Sequence, residues 1–290
     1  MKKLAVIGDP IAHSLSPVLQ NFLIRHFTLP FTYEALRVRV DDLPKMMQRL
    51  RDGEFRGVNV TLPHKQAIMP FLEEIDETAA RIGAVNTVVA HDGRPIGYNT
   101  DAFGFQRSLE LAGIALAGKN VLVLGAGGAA RAVVYILLQS GAQKIFLCNR
   151  HLERVQSLIG AFAAAENHLQ SVSWPDRLTW LEKNEIDIIV NTTSVGMPPQ
   201  MEESPLPKHV FSSKLIVVDL VYNPLQTAFL YAAHAAGAKV VNGLAMLIHQ
   251  GVAALELWSK QQLDIRDIYA NLEKVLISIK PPTTSGQHPV

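Results

Sequence analysis

The segment Asn59-Val60-Thr61-Leu62-Pro63-His64-Lys65 gathers an amide, a hydroxyl and an amine in a short stretch. On a strand, residues two apart share a face, so Asn59 and Thr61 look one way while Val58, Val60 and Leu62 look the other. Lys65 falls in the first turn of the helix expected next, where a cation opposes the macrodipole. A local rule broken in this way marks a candidate functional residue, and an amine there suits proton transfer. The plain alternative is an exposed lysine whose tip swings into water. His64 reads as structural or solvent-facing. Farther along, Ala84-Val85-Asn86-Thr87 puts another amide, Asn86, on a strand-like segment. Asp101 follows Asn99-Thr100 at the head of a helix, where it is either an N-cap or the carboxylate that holds the Lys65 ammonium. Ser14-Leu15-Ser16-Pro17 opens another helix. Capping by Ser16 ahead of Pro17 accounts for that motif, and two hydroxyls at a positive helix end also suit a bound carboxylate.

A second group lies downstream. Gly125-Ala126-Gly127-Gly128-Ala129-Ala130 follows an apolar strand and opens a helix, matching G-x-G-x-x-[GA]. In that context the glycines allow a tight turn and close approach of a pyrophosphate to free N–H groups, which predicts dinucleotide binding. The next strand ends in Cys148-Asn149-Arg150, with Arg154 one helical turn on. An NAD site places an acid there for the ribose 2′-hydroxyl; two guanidinium groups suit a 2′-phosphate and favour NADP. Asn191-Thr192-Thr193-Ser194 and Asp219-Leu220-Val221-Tyr222-Asn223-Pro224 each follow a buried strand, where loops at carboxyl ends line the ligand crevice. Structural and functional roles are equally open for any one residue of these loops.

The elements that must position these groups alternate strand-like and helix-like, an α/β pattern. Strands are expected over 4–7, 31–38 and 57–62, helices over 17–27, 41–50 and 63–74, and a hairpin of 84–90 with 96–99 about Asp92-Gly93. A helix over 102–112 closes the first part, and the pause at 113–118 marks a domain boundary. Beyond it, strands are expected over 120–124, 144–148, near 172, 186–190, 215–220 and 239–241. Helices over 129–139, 152–164 and 225–236 alternate with them, and 244–260 and 268–279 are helical. The last residues, 280–290, read as a disordered tail.

Length and composition set outer limits. At ~150 residues per domain, 290 residues argue for two domains. Lys plus Arg number 27 against 26 Asp plus Glu, which removes a broad electrostatic case for nucleic acid or an anionic membrane. Hydrophobic residues at 48% supply real cores and exclude wholesale disorder. Cys148 has no partner for an internal disulfide, and no apolar run is long enough for a membrane span. Met1-Lys2-Lys3 leads into a strand-like segment rather than a signal peptide. A soluble, cytoplasmic protein is the expectation.

Taken in order, these motifs and Gly243-Leu244-Ala245-Met246-Leu247-Ile248-His249-Gln250 resemble the shikimate dehydrogenase family over nearly the whole chain. The resemblance implies an N-terminal α/β substrate domain, 1–112, completed by C-terminal helices of 244–279 that pack back on it. A Rossmann-type doubly wound NADP domain would span 113–243. It implies that Ser14, Ser16, Asn59, Thr61, Asn86, Asp101, Tyr222 and Gln250 hold the substrate's carboxylate and hydroxyls. Lys65 would move the proton, with Asp101 as its partner. Gly125, Ala126, Gly127, Gly128, Ala129, Asn149, Arg150, Arg154, Thr192, Leu220 and Gly243 would surround NADP, and Glu77 falls at a position associated with it. Met246 would also border NADP; it and Gln250, four apart on a helix, share one face, which the resemblance would turn toward the cleft.

The activity so implied is reversible NADPH-linked reduction of 3-dehydroshikimate to shikimate, a step of aromatic amino-acid biosynthesis. A quinate/shikimate dehydrogenase with relaxed substrate and cofactor use is the nearest alternative, and a non-catalytic NADP-dependent regulator a more distant one. No nucleic acid, membrane or metal partner is implied, and a homodimer is left open.

Overall fold

The computed structural model describes residues 1–278, and the tail expected to be disordered lies outside them. In chain order, the first lobe comprises β1 (Lys2–Gly8), α1 (Ser16–His26), β2 (Phe31–Arg37), α2 (Leu43–Arg51), β3 (Phe55–Val60), α3 (His64–Ala67), β4 (Glu74–Ile75), α4 (Glu77–Ile82), β5 (Thr87–His91), β6 (Arg94–Tyr98) and α5 (Asp101–Leu111). The second comprises β7 (Asn120–Leu124), α6 (Gly128–Gln139), β8 (Lys144–Asn149), α7 (Leu152–Ala161), β9 (Leu169–Ser173), α8 (Arg177–Lys183), β10 (Ile188–Asn191), β11 (Ile216–Asp219), α9 (Ala228–Ala235) and β12 (Lys239–Val241). Two helices follow, α10 (Leu244–Ser259) and α11 (Tyr269–Ile277).

The first sheet is mixed, in the order β2-β1-β3-β5-β6-β4. Alternation along β1 serves both of its faces. Leu4 and Val6 pack with α1, α10 and α11, whereas Ala5 and Ile7 pack with Met46, Met47 and Leu50 of α2. The C-terminal helices therefore close one face of the first sheet: Ile248, Trp258 and Leu272 share a core with Leu19 and Leu23. Trp258 also donates from Nε1 to the Val88 carbonyl at 3.0 Å, and Gly57 leaves it room, since a Cβ there would lie 2.1 Å from Nε1. The β5–β6 turn has positive φ at both Asp92 and Gly93, as expected for Asp-Gly in a tight hairpin.

The second sheet is all parallel, in the order β12-β11-β10-β7-β8-β9. The chain enters at β7, winds outward through β8 and β9, then crosses back to β10. The strand order reverses between β7 and β10, and in such sheets the crevice at the carboxyl ends of these strands binds ligands. Both faces are covered, which explains why the inner strands β7, β8, β10 and β11 are nearly continuous apolar runs rather than alternating.

Several boundaries differ from expectation. The helix expected over 63–74 is a single α turn, α3, followed by a 3-10 turn at Met69–Phe71 and the short β4. Pro70 has no N–H to continue a helix. With one turn there is little macrodipole for Lys65 to oppose, contrary to expectation. Helices α4 and α8 were not anticipated, being too short to show an apolar period. Strand β5 begins at Thr87, after Asn86, although Asn86 still pairs through its backbone: Val60 N donates to its carbonyl at 2.7 Å. The helix expected from 225 starts at Ala228, where the Thr227 hydroxyl accepts from Leu230 N at 3.2 Å. Among the described residues no helix is long and apolar enough to cross a membrane.

Candidate active site

The turn after β3 in the first lobe faces the turn after β7 in the second. Between them is a cavity of about 130 Å³ lined by Ser14, Ser16, Asn59, Thr61, Lys65, Asn86, Asp101, Tyr222 and Gln250, with Ala129, Leu220, Gly243 and Met246. Lys65 Nζ donates to Asp101 Oδ2 at 2.5 Å, with the two side chains only 15% and 7% exposed. Removing one partner of a well-buried pair of this kind is costly, about 3–5 kcal/mol, because the other charge is left uncompensated.

Asp101 is itself held. Its Oδ1 accepts from Asn86 Nδ2 at 2.9 Å, and Asn86 Oδ1 accepts from the Thr100 N–H at 2.7 Å and from Thr87 Oγ1 at 3.1 Å. Thr87 Oγ1 accepts from Asn59 Nδ2 at 3.0 Å, and Asn59 Oδ1 accepts from the Tyr33 hydroxyl at 2.6 Å. The result is one buried chain of hydrogen bonds from Tyr33 to Lys65. Each amide has its orientation set by its neighbours.

Two capping readings of the sequence give way to the cavity. Ser16 does not cap α1; its own N–H donates to Ser14 Oγ at 3.3 Å. Asp101 does not cap α5; Asn99 Oδ1 takes the Ala102 N–H at 3.2 Å, which leaves the Asp101 carboxylate to Lys65. Burial pushes the Tyr222 phenol above its ordinary pKa, and Tyr33, facing it, is pushed well above. Both remain protonated and able to donate a hydrogen bond. His64 is fully buried, not solvent-facing, and its Nε2 lies 2.6 Å from the Val38 carbonyl.

A groove of about 320 Å³ continues from the cavity and shares Thr61, Lys65, Ala129, Leu220 and Tyr222 with it. Gly125, Ala126, Gly127, Asn149, Arg150, Arg154 and Thr192 complete its walls, and Gly128 lines an adjoining recess with Lys65 and Arg154. Gly125 has φ +116, and a Cβ there would lie 2.3 Å from Thr192 Oγ1, so no other residue fits the turn. Gly127 faces open space, the cradle a pyrophosphate needs beside the unpaired first N–H groups of α6. The groove therefore fits a dinucleotide, and its arginines fit an additional phosphate.

Glu77 is not brought to either space. It sits at the start of α4, 78% exposed, with Arg81 Nη2 donating to it at 2.5 Å. Asp219 lies outside the cavity too, as a structural post: it accepts from Asn191 Nδ2, the Val221 N–H and Thr227 Oγ1 at 2.9, 3.0 and 2.7 Å. Burial pushes its pKa up to about 6 against those three donors. Cys148, likewise buried, is pushed up to about 11 and is unreactive at neutral pH. Sequence reasoning did not single out Thr87, Thr100 or Tyr33. The first two stood inside motifs already noted, and Tyr33 carried no signal beyond alternation in β2. Among the described residues no cluster of potential metal ligands occurs.

A lysine held by a carboxylate between a small polar cavity and a groove that fits a dinucleotide is the arrangement of a nicotinamide-dependent oxidoreductase. Residues 6–88 match the family model described as shikimate dehydrogenase substrate binding domain, and residues 108–222 that described as shikimate / quinate 5-dehydrogenase. The chain is 45% identical over 283 residues to the shikimate dehydrogenase (NADP(+)) of Moorella thermoacetica, covering 97% of this chain and 95% of that one. It is similar to the crystal structure of shikimate 5-dehydrogenase from Thermus thermophilus in complex with NADP(H) and shikimate, with a TM-score of 0.82 and 39% identity over 95% of this chain and 98% of that one. A quinate dehydrogenase from Corynebacterium glutamicum in complex with NAD also matches, with a TM-score of 0.82 and 28% identity over 96% of this chain and 99% of that one. The chain belongs to the shikimate dehydrogenase family.

Proposed function

We propose that this chain catalyses the reversible NADPH-linked reduction of 3-dehydroshikimate to shikimate, with Lys65 as proton donor and, in reverse, acceptor. The observation that carries the proposal is the Lys65–Asp101 pair at the seam between cavity and groove. When bound, the nicotinamide of NADP supplies the hydride in one direction and takes it in the other. As the ketone carbon gains that hydride, its oxygen becomes an alkoxide and takes a proton from the Lys65 ammonium. Asp101 keeps the ammonium aimed, and Asn86 keeps Asp101 aimed. Ser14, Ser16 and the Tyr222 phenol donate to the ring carboxylate, while Asn59, Thr61 and Gln250 hold the ring hydroxyls, which fixes the face presented. Arg150 and Arg154 take the 2′-phosphate.

On the same grounds we assign substrate to residues 1–112 with the C-terminal helices, and NADP to residues 113–243. Balanced charge and a single buried thiol support a cytoplasmic location. The test is formation of reduced nicotinamide from shikimate or quinate, each with NADP and NAD. Shikimate with NADP is expected to give by far the highest kcat/KM. Comparable rates on quinate and NAD point to the relaxed enzyme, and no turnover with any pair refutes a catalytic role.

A further inference from the structure

Arg131 has no part in the reaction as proposed, yet it is among the most buried charges of the molecule, only 6% exposed. It lies three residues after Gly128 on α6, on the face turned to the first lobe. No acidic residue stands in the first turn of that helix, and burial alone pulls the guanidinium below its ordinary pKa. A buried cation with no carboxylate is kept only where hydrogen bonds satisfy it.

Its acceptor is a neutral amide across the interface. With its carbonyl turned to the guanidinium, Gln66 accepts from Arg131 Nε at 3.0 Å and from Nη2 at 3.2 Å. Gln66 is the neighbour of Lys65. The third guanidinium nitrogen rests against Gly83, where a Cβ would lie 2.8 Å from Nη1. Gly83 begins the stretch that leads to Asn86, and within it Val85 N donates to the Lys65 carbonyl at 2.8 Å. One turn back on α6, Gly128 is pressed against the Lys65 stem, leaving 2.8 Å from a Cβ to Lys65 Cβ. One helix face therefore touches both segments that hold the Lys65–Asp101–Asn86 group.

We propose that Arg131 is a positioning residue: through Gln66 it sets the register between the helix that carries the cofactor's pyrophosphate and the turn that carries Lys65. Resting on the proposed function, this places control of hydride and proton geometry in a residue that touches neither reactant. Displacements of about 1 Å in reacting groups cost up to ~10²-fold in rate.

The test is a kinetic cycle on Arg131→Met, Gln66→Met and the double variant, with NADPH and NADPH deuterated at the transferring position. Each single variant is expected to lower kcat by about tenfold or more while the KM for 3-dehydroshikimate stays within about threefold. The deuterium isotope effect on kcat rises as hydride transfer becomes limiting. The double variant loses no more than the worse single, because both remove one contact. Arg131→Lys does not restore the rate, since a point ammonium cannot make the two-pronged bond. Gln66 is exposed, so its variant remains informative where Arg131→Met fails to fold. Unchanged kcat and isotope effect in a folded Gln66→Met, or losses that multiply in the double, overturn the proposal. A wild type without turnover overturns both this and the proposed function; an active wild type with unaffected variants overturns this alone.

Discussion

The two sides of the cleft are built by different means. In the first lobe the cavity is made of side chains, interlocked from Tyr33 through Asn59, Thr87, Asn86 and Asp101 to Lys65. In the second the turn at the head of the groove is made of backbone, glycines that leave space and free N–H groups at the head of α6, with Arg150 and Arg154 farther along its wall. A side-chain site is specified residue by residue and fails by losing a functional group. A backbone site is specified by shape and fails by gaining atoms. Lys65 stands where the two meet.

Substitutions can set one side against the other. Gly125→Val places a side chain at φ +116 against Thr192 Oγ1, and backbone strain of ~1–3 kcal/mol plus that clash should weaken NADP binding by at least ~10²-fold. Shikimate binding, measured by calorimetry without cofactor, should be within a few-fold of wild type. Equal loss of both ligands would erase the distinction between the lobes. Asp101→Asn keeps shape but removes the charge that aims the ammonium while leaving the amine in place, and kcat should fall by about 30-fold, less than the ~10²–10⁴-fold of full acid–base loss. A rate above half that of wild type denies Asp101 its role.

Arg150→Ala should weaken NADP by about tenfold, the worth of one charged hydrogen bond, while NAD changes less than twofold. Parallel loss for both cofactors excludes a 2′-phosphate contact. The smallest effect on turnover belongs to Asp219→Asn, and its mark is on stability. The Asp219 pKa is raised to about 6 from an ordinary 3.8. Its contribution to stability is therefore full below 3.8 and lost as pH rises through about 6, by roughly 3 kcal/mol in all. Urea unfolding from about pH 4 to 7 should show that decline in the wild type and a flatter profile in the variant. Identical slopes would mean that the Asp219 pKa is not raised in the folded protein.

The same contrast explains what could be read in the residues. The glycine turn was legible because a backbone constraint leaves a motif in sequence, and β7, α6 and β12 appear close to where the periodicity placed them. Boundaries failed where a local signal was weak or a single residue decided, as with Pro70 ending α3 and the short α4. The side-chain site was legible only as residue types. Lys65 and Asp101 are 36 positions apart, and spacing cannot show that they meet. Ser16 and Asp101 looked like caps because helix starts look alike, and only the fold reveals Ser14 and Asn99 doing that work. The Arg131–Gln66 contact carries no sequence signal at all, since it joins two lobes through a neutral amide.

The most direct test is Lys65→Met, assayed for shikimate-dependent NADP reduction alongside calorimetric shikimate affinity. An ammonium that moves the proton predicts a kcat lower by at least ~10²-fold with affinity little changed. A variant that turns over within a few-fold of wild type contradicts the account.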